Sequence, residues 1–152
     1  MKAWQRWVFG VLAAVVALSG GSYCWMKYFI ESSDPMAVVN HPWQPTMLHL
    51  HVLASPPFIL MFGILLDSHI MKRLGRRQVP NRRSGLLSLG TFAVMVISGY
   101  WLEVVTNEAW LKGLVVAHIA SGVVFSATYV IHLLISVWLV RAGRFEPAHE
   151  AA

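Results

Sequence analysis

Four long apolar runs constrain this chain more than any other feature. The first reads WVFGVLAAVVALSGGSYCWMKYFI and covers about residues 7–30, and the others cover about residues 47–71, 86–105 and 111–140. A helix needs roughly 20 mostly apolar residues to cross about 30 Å of hydrocarbon. The runs are long and lack the short alternating segments of a transmembrane β-barrel. We therefore predict an all-α integral membrane protein, a bundle of four transmembrane helices.

Composition and the placement of charge support a multi-pass membrane protein. Of the 152 residues, 57% are hydrophobic and only 12% are charged, whereas soluble domains carry about a quarter charged residues. Ten of the 12 basic residues flank the runs on one side: Lys2, Arg6, Lys72, Arg73, Arg76, Arg77, Arg82, Arg83, Arg141 and Arg144. The positive-inside rule then predicts an N-in, C-in orientation. The basic loop 72–85 would be cytoplasmic and the loop 31–46 periplasmic. No soluble basic domain remains to bind nucleic acid.

The amino terminus and the single cysteine indicate that the chain has neither a cleaved secretory signal nor an internal disulfide. Lys2 and Arg6 before an apolar run resemble a secretory signal, but the run continues to Ile30 without a small-residue cleavage site and a polar start. We therefore expect the first helix to be retained. Cys24 cannot form a disulfide within the chain, and the absence of CxxCH excludes covalent haem attachment. No internal repeat is evident from the sequence.

Histidines stand out because ionisable residues inside a span are costly. Seven are present: His41, His49, His51, His69, His118, His132 and His149. A helix turns about 100° per residue, so His51 and His69 share one face of the second run, and His118 and His132 lie about 40° apart on the fourth. Spans two and four both run from outside to inside, so His51 and His118 lie near the outer ends of their helices, and His69 and His132 toward the inner ends. His49 points away from His51.

Two such pairs at two depths predict two bis-imidazole sites. A neutral imidazole is the commonest metal ligand, haem iron accepts axial histidine, and bundle cores hold cofactors. Gly122, one turn after His118, could let a porphyrin edge approach, and Ser98-Gly99 and Gly63 could do likewise, although such small residues equally serve plain helix packing. A lone intramembrane histidine can be a packing residue or a proton relay. A zinc or copper transport site would favour carboxylate or thiolate ligands at the same depth.

The layout resembles a known family. Four spans, with histidines near both ends of the last one and a glycine one turn in (HIASG…YVIH), are similar to the small bacterial membrane b-type cytochromes. That group includes the cytochrome b subunits of hydrogenases and formate dehydrogenases. The resemblance implies that His118 and His132 bind two haems. Better-known members take another ligand from near the start of span one, where this chain has no histidine; His69 is our substitute. HPWQP, HVLASPP, RRSG and SGY also resemble a subgroup of uncharacterised four-helix membrane proteins.

These observations predict a di-haem b-type cytochrome of the bacterial inner membrane. Its role would be electron transfer across or within the bilayer between a quinol or periplasmic donor and a partner redox protein. It would be an electron-transfer protein or a subunit of a redox complex rather than a stand-alone enzyme. No hydrolytic motif is present. Arg82, Arg83 and Lys112 are candidate partners of haem propionates. The alternative is a non-haem membrane protein, either a metal or proton carrier or a structural subunit.

Overall fold

In a computed structural model, residues 2–66 and 82–142 are described, with the backbone alone for residues 82–84, 139 and 140. These ranges contain four helices: α1 (Ala3–Tyr28), α2 (Gln44–Leu65), α3 (Arg82–Leu102) and α4 (Glu108–Arg141). Each is long and apolar enough to cross a membrane. The prediction of an all-helical chain with four candidate spans is confirmed for this part of the sequence.

Each helix begins three or four residues before the apolar run that predicted it. At α1 and α4, polar residues help to extend the helix beyond the apolar run, because they satisfy backbone N–H groups at the helix start that have no helical acceptors. The Asn107 Oδ1 atom accepts hydrogen bonds from the backbone N–H groups of Ala109 and Trp110, at 3.1 and 3.2 Å. In α1 the Gln5 side chain accepts a hydrogen bond from the Lys2 backbone N–H at 2.9 Å.

The chain divides into two compact units, Met1–Arg76 and Arg77–Ala152. The first unit contains α1 packed on α2, and the second contains α3 packed on α4. Each unit is therefore one helical hairpin, which we call hairpin one and hairpin two.

Aromatic rings hold hairpin one together. The Phe9 ring of α1 stacks on Phe58 of α2 with 5.2 Å between ring centroids, and lies 6.1 Å from the Phe62 ring. Early residues of α1 thus pack on late residues of α2, while Val16 meets His51 near the other end. This order shows that the two helices are antiparallel. The buried apolar side chains of the hairpin are Phe9, Ala13, Val16, Ala54, Phe58, Met61, Phe62 and Leu65.

Hairpin two uses a similar ring contact and adds a polar one. The Phe92 and Phe125 rings lie 5.6 Å apart, and Phe125 is parallel to Tyr129 at 6.3 Å. One turn before Phe92, the Ser88 hydroxyl donates a hydrogen bond to the Thr128 hydroxyl at 3.0 Å. Since residue numbers rise along α3 as they fall along α4, this pair is antiparallel as well.

Large apolar side chains remain uncovered on the outward faces of both hairpins. Leu18 is 71% exposed, Leu60 68% and Val116 67%. Water would penalise such surface at about 25 cal/mol per Å². Hydrocarbon does not, and every backbone group of an unbroken helix is already hydrogen-bonded within it. The outward faces therefore fit a multi-pass membrane protein.

Candidate functional site

In hairpin one, His51 is held against α1. Its Nδ1 atom lies 2.9 Å from the carbonyl oxygen of Val16. A carbonyl oxygen can only accept, so the proton is on Nδ1 and the ring nitrogen lone pair is on Nε2. The ring lies over Gly20, where a Cβ atom would come within 2.7 Å of Cε1 and 2.8 Å of Nδ1. We call Val16, Ser19 and Gly20 the His51 seat.

Ser19 supports this seat from within α1. It is 2% exposed, and its hydroxyl lies 2.6 Å from the Val15 carbonyl oxygen and 3.2 Å from that of Val16. The Val16 carbonyl therefore receives both the serine hydroxyl and the imidazole N–H. A carbonyl has two lone pairs and can serve more than one donor. The hydroxyl and the imidazole thus converge on the same turn of α1.

His118 is held in the same way in hairpin two. Its Nδ1 atom lies 2.9 Å from the Met95 carbonyl oxygen and 3.4 Å from the Ser98 hydroxyl oxygen. A Cβ atom at Gly99 would approach the ring Cε1 to 2.9 Å. Ser98 is 4% exposed, and its hydroxyl lies 2.7 Å from the Val94 carbonyl oxygen. We call Met95, Ser98 and Gly99 the His118 seat.

The two seats repeat one pattern in different sequence surroundings. In each hairpin the first helix supplies a Ser-Gly pair and the carbonyl four residues before the glycine, and the second helix supplies the histidine. A buried phenylalanine follows each histidine after seven residues, Phe58 in α2 and Phe125 in α4. No repeat was evident from the sequence, so this local repeat is a finding of the structure.

The hydrogen bond on Nδ1 determines what each histidine can do. Metal-bound histidines almost always donate their second ring N–H to a carboxylate, a backbone carbonyl or water, which fixes the tautomer and the ring orientation. His51 and His118 both show the carbonyl form of this arrangement. Their Nε2 lone pairs therefore have the chemistry of an axial ligand to haem iron.

The other predicted site residues fall in several places. His132 lies on α4, half-buried, and its backbone carbonyl accepts a hydrogen bond from the Ser136 hydroxyl at 2.8 Å. His69 lies outside the described residues. Arg82 and Arg83 form the start of α3, and their side chains are outside the described part. Lys112 is exposed on α4.

Gly122 and the remaining histidines have simpler surroundings. A Cβ atom at Gly122 would lie 3.7 Å from the Met95 sulfur, an ordinary van der Waals contact. His49 is exposed on α2. In the loop between α1 and α2, the His41 Nδ1 atom accepts a hydrogen bond from the Trp43 backbone N–H at 3.1 Å. Within residues 2–66 and 82–142, no three histidine, cysteine, aspartate or glutamate side chains form a group that could hold a metal ion.

Sequence reasoning missed the His51 seat. For Ser98 and Gly99 the sequence allowed either the approach of a porphyrin edge or plain helix packing, and in the structure Gly99 lies against the His118 ring. Both seats contain a Ser-Gly pair, Ser19-Gly20 and Ser98-Gly99, but the sequence has two further such pairs at 84–85 and 121–122, so the pair alone does not locate the seats. No protein family, curated protein or solved structure matches this chain.

Proposed function

We propose that this chain is a di-haem b-type membrane cytochrome that transfers electrons between a quinol or periplasmic donor and a partner redox protein. His51 and His118 are the axial ligands of one haem b, and His69 and His132 those of a second. The observation that supports the proposal is the repeated seat, in which an imidazole on each of two apolar helices has Nδ1 on a backbone carbonyl and the lone pair on Nε2.

The residues present fit a haem ligand role. When bound, haem supplies a one-electron couple between ferric and ferrous iron. The chain holds each imidazole in one tautomer and orients it through Val16 and Met95. Both histidines are half-buried between the two helices of their own hairpin. Of the proposed inner pair, His132 lies on α4 and His69 lies outside the described residues.

Orientation in the bilayer is the second part of the proposal. Both termini are on the cytoplasmic side of a bacterial inner membrane, because ten of the 12 basic residues lie on that side of the four spans. Arg82, Arg83 and Lys112 are available for haem propionates. A reporter fused after Arg144 should be active in the cytoplasm, and one fused after Asp34 in the periplasm. A periplasmic reading at Arg144 would contradict the orientation.

The decisive experiment is spectroscopy of the purified protein with quantitation of haem. Noncovalent haem b should give a Soret band and sharp reduced bands with dithionite. Acid-acetone should extract the haem, and pyridine haemochrome should give about two haems per chain, one for each bis-histidine pair. Protein without a Soret band, or with haem that stays on the polypeptide, would refute the proposal.

A non-haem membrane protein is the second candidate, and the same hydrogen bond favours it. A histidine that only packs two helices together would also satisfy Nδ1 with a carbonyl, because a buried polar group without a partner is costly. The two candidates separate on one point. A structural histidine needs nothing on Nε2, so replacing it would change stability and leave the absorption spectrum of the preparation unaltered.

A further inference from the structure

We propose that Gly20 and Gly99 are positioning residues that set the orientation of the two ligand imidazoles. The inference rests on the proposed function, because it assigns the seats a task toward haem. Neither glycine acts by letting a porphyrin approach. Each acts on the histidine ring, which lies where a side chain at the glycine would have to be.

Distances make the two glycines unlike most others in the helices. A Cβ atom would lie 2.7 Å from the His51 ring at Gly20 and 2.9 Å from the His118 ring at Gly99, whereas ordinary contacts begin at 3.4 Å. At Gly21, Gly63, Gly85, Gly90 and Gly113 an added Cβ atom would meet nothing within 4 Å. Alanine at either seat must therefore displace an imidazole by several tenths of an ångström, while alanine at these five positions displaces nothing.

Displacement of the ring would disturb the hydrogen bond on Nδ1 and the orientation of Nε2. The imidazole is fixed on one side by its own helix and on the other by the carbonyl of Val16 or Met95 at 2.9 Å. Moving the ring away from the glycine lengthens that hydrogen bond and turns the Nε2 lone pair. Ligand geometry has to hold within about 0.5 Å for function. Changes to groups that orient metal ligands cost about 10- to 100-fold in affinity.

The test compares glycine variants with controls on the same helix. Gly20→Ala should lower haem affinity about 10- to 100-fold, shift the midpoint potential and change the low-spin ferric EPR signal. Gly99→Ala should act in the same direction. Gly21→Ala in α1 and Gly90→Ala in α3 are the matched controls, and should behave as wild type. Affinity is measured by haem titration of protein made in haem-deficient cells.

A complementation experiment covers the case in which a seat variant fails to accumulate. His51→Gly removes the ring and leaves its space, so added imidazole should restore haem binding. In His51→Gly with Gly20→Ala, the new methyl group fills part of that space, and at least a tenfold higher imidazole concentration should be needed. Equal imidazole requirements would overturn the proposal.

The outcomes separate the seat from the proposed function. A wild-type protein that binds no haem overturns the proposed function itself. The wild-type protein could instead bind haem while Gly20→Ala and Gly99→Ala match the controls Gly21→Ala and Gly90→Ala in affinity, potential and EPR signal. That result would overturn only the positioning role of the two glycines.

Discussion

The two hairpins build the same histidine seat on different supports. In hairpin one, the helix that carries the histidine is the 22-residue α2, with Pro56 and Pro57 in its interior. In hairpin two it is the 34-residue α4, which contains no proline. Proline has no N–H group, so Pro56 and Pro57 cannot donate to the carbonyls of Val52 and Leu53. The backbone directly after His51 is therefore less constrained than the backbone after His118.

The contacts that join the two helices also differ between the hairpins. Hairpin one joins its helices through the rings of Phe9, Phe58 and Phe62. Hairpin two has a ring contact between Phe92 and Phe125 and also the Ser88–Thr128 hydrogen bond. Because the seat is the same in both, its geometry follows from a few local residues: a histidine, a Ser-Gly pair opposite it and a phenylalanine seven residues later. The remainder of each hairpin is free to vary.

The strongest test of this equivalence is removal of each histidine. If His51 and His118 hold the same haem, His51→Ala and His118→Ala should each lower the haem content from about two to about one per chain. Neither variant should remove the inner haem. Pyridine haemochrome and low-temperature reduced spectra measure the change. Loss in one variant with full loading in the other would show that the two seats are not equivalent.

The control for this experiment is the neighbouring histidine of α2. His49 is exposed, and two residues along a helix place it about 200° around from His51, so His49→Ala should keep the full haem content. Loss of haem from His49→Ala would mean that the wrong residue of HLH had been assigned as the ligand.

The next largest effect concerns the phenylalanines that follow the histidines. Phe58 is 2% exposed and Phe125 4%. Truncating a buried phenylalanine costs about 3–5 kcal/mol in soluble proteins. Hydrocarbon removes the part that comes from water, so we expect roughly 2 kcal/mol for Phe58→Ala and for Phe125→Ala. Unfolding in mixed micelles measures the free energy of unfolding.

Outward residues on the same helices serve as controls for the phenylalanines. Leu60 is 68% exposed and Val123 63%, so Leu60→Ala and Val123→Ala should change the free energy of unfolding by less than about 0.5 kcal/mol. A much larger loss for Phe58→Ala than for Phe125→Ala would show that the proline-containing hairpin depends more on its ring contacts.

The helices could be predicted from the sequence, because length and hydropathy alone decide whether a segment can span a bilayer. His51 and His118 could be singled out as well, since an imidazole in an apolar run needs a reason. The carbonyl groups that accept hydrogen bonds from these histidines could not be predicted, because every residue carries a carbonyl and only packing selects those of Val16 and Met95. The repeat was hidden by spacing: Ser19 and Ser98 are 79 positions apart, whereas His51 and His118 are 67 apart. Loops of unequal length therefore break the register.

The smallest expected effect is at the polar contact that distinguishes hairpin two. Ser88 and Thr128 share a hydrogen bond of 3.0 Å across α3 and α4. Hydrogen bonds between membrane helices are worth about 0.6 kcal/mol on average. A double-mutant cycle of Ser88→Ala and Thr128→Val should therefore give a coupling free energy of about 0.6 kcal/mol. Unfolding in mixed micelles again provides the measurement.

Measuring the haem content of the same variants tests whether the His118 seat depends on this hydrogen bond. Ser88 lies ten residues before Ser98 along α3, and Thr128 lies ten residues after His118 along α4. Ten residues correspond to about 15 Å of helix. Both single variants and the double variant should keep full haem loading, since the seat is built from local residues. A coupling near zero would mean that hairpin two relies on the same ring contacts as hairpin one. Haem loss in the double variant would instead show that the His118 seat depends on the distant hydrogen bond, and that the two hairpins support their histidines by different means.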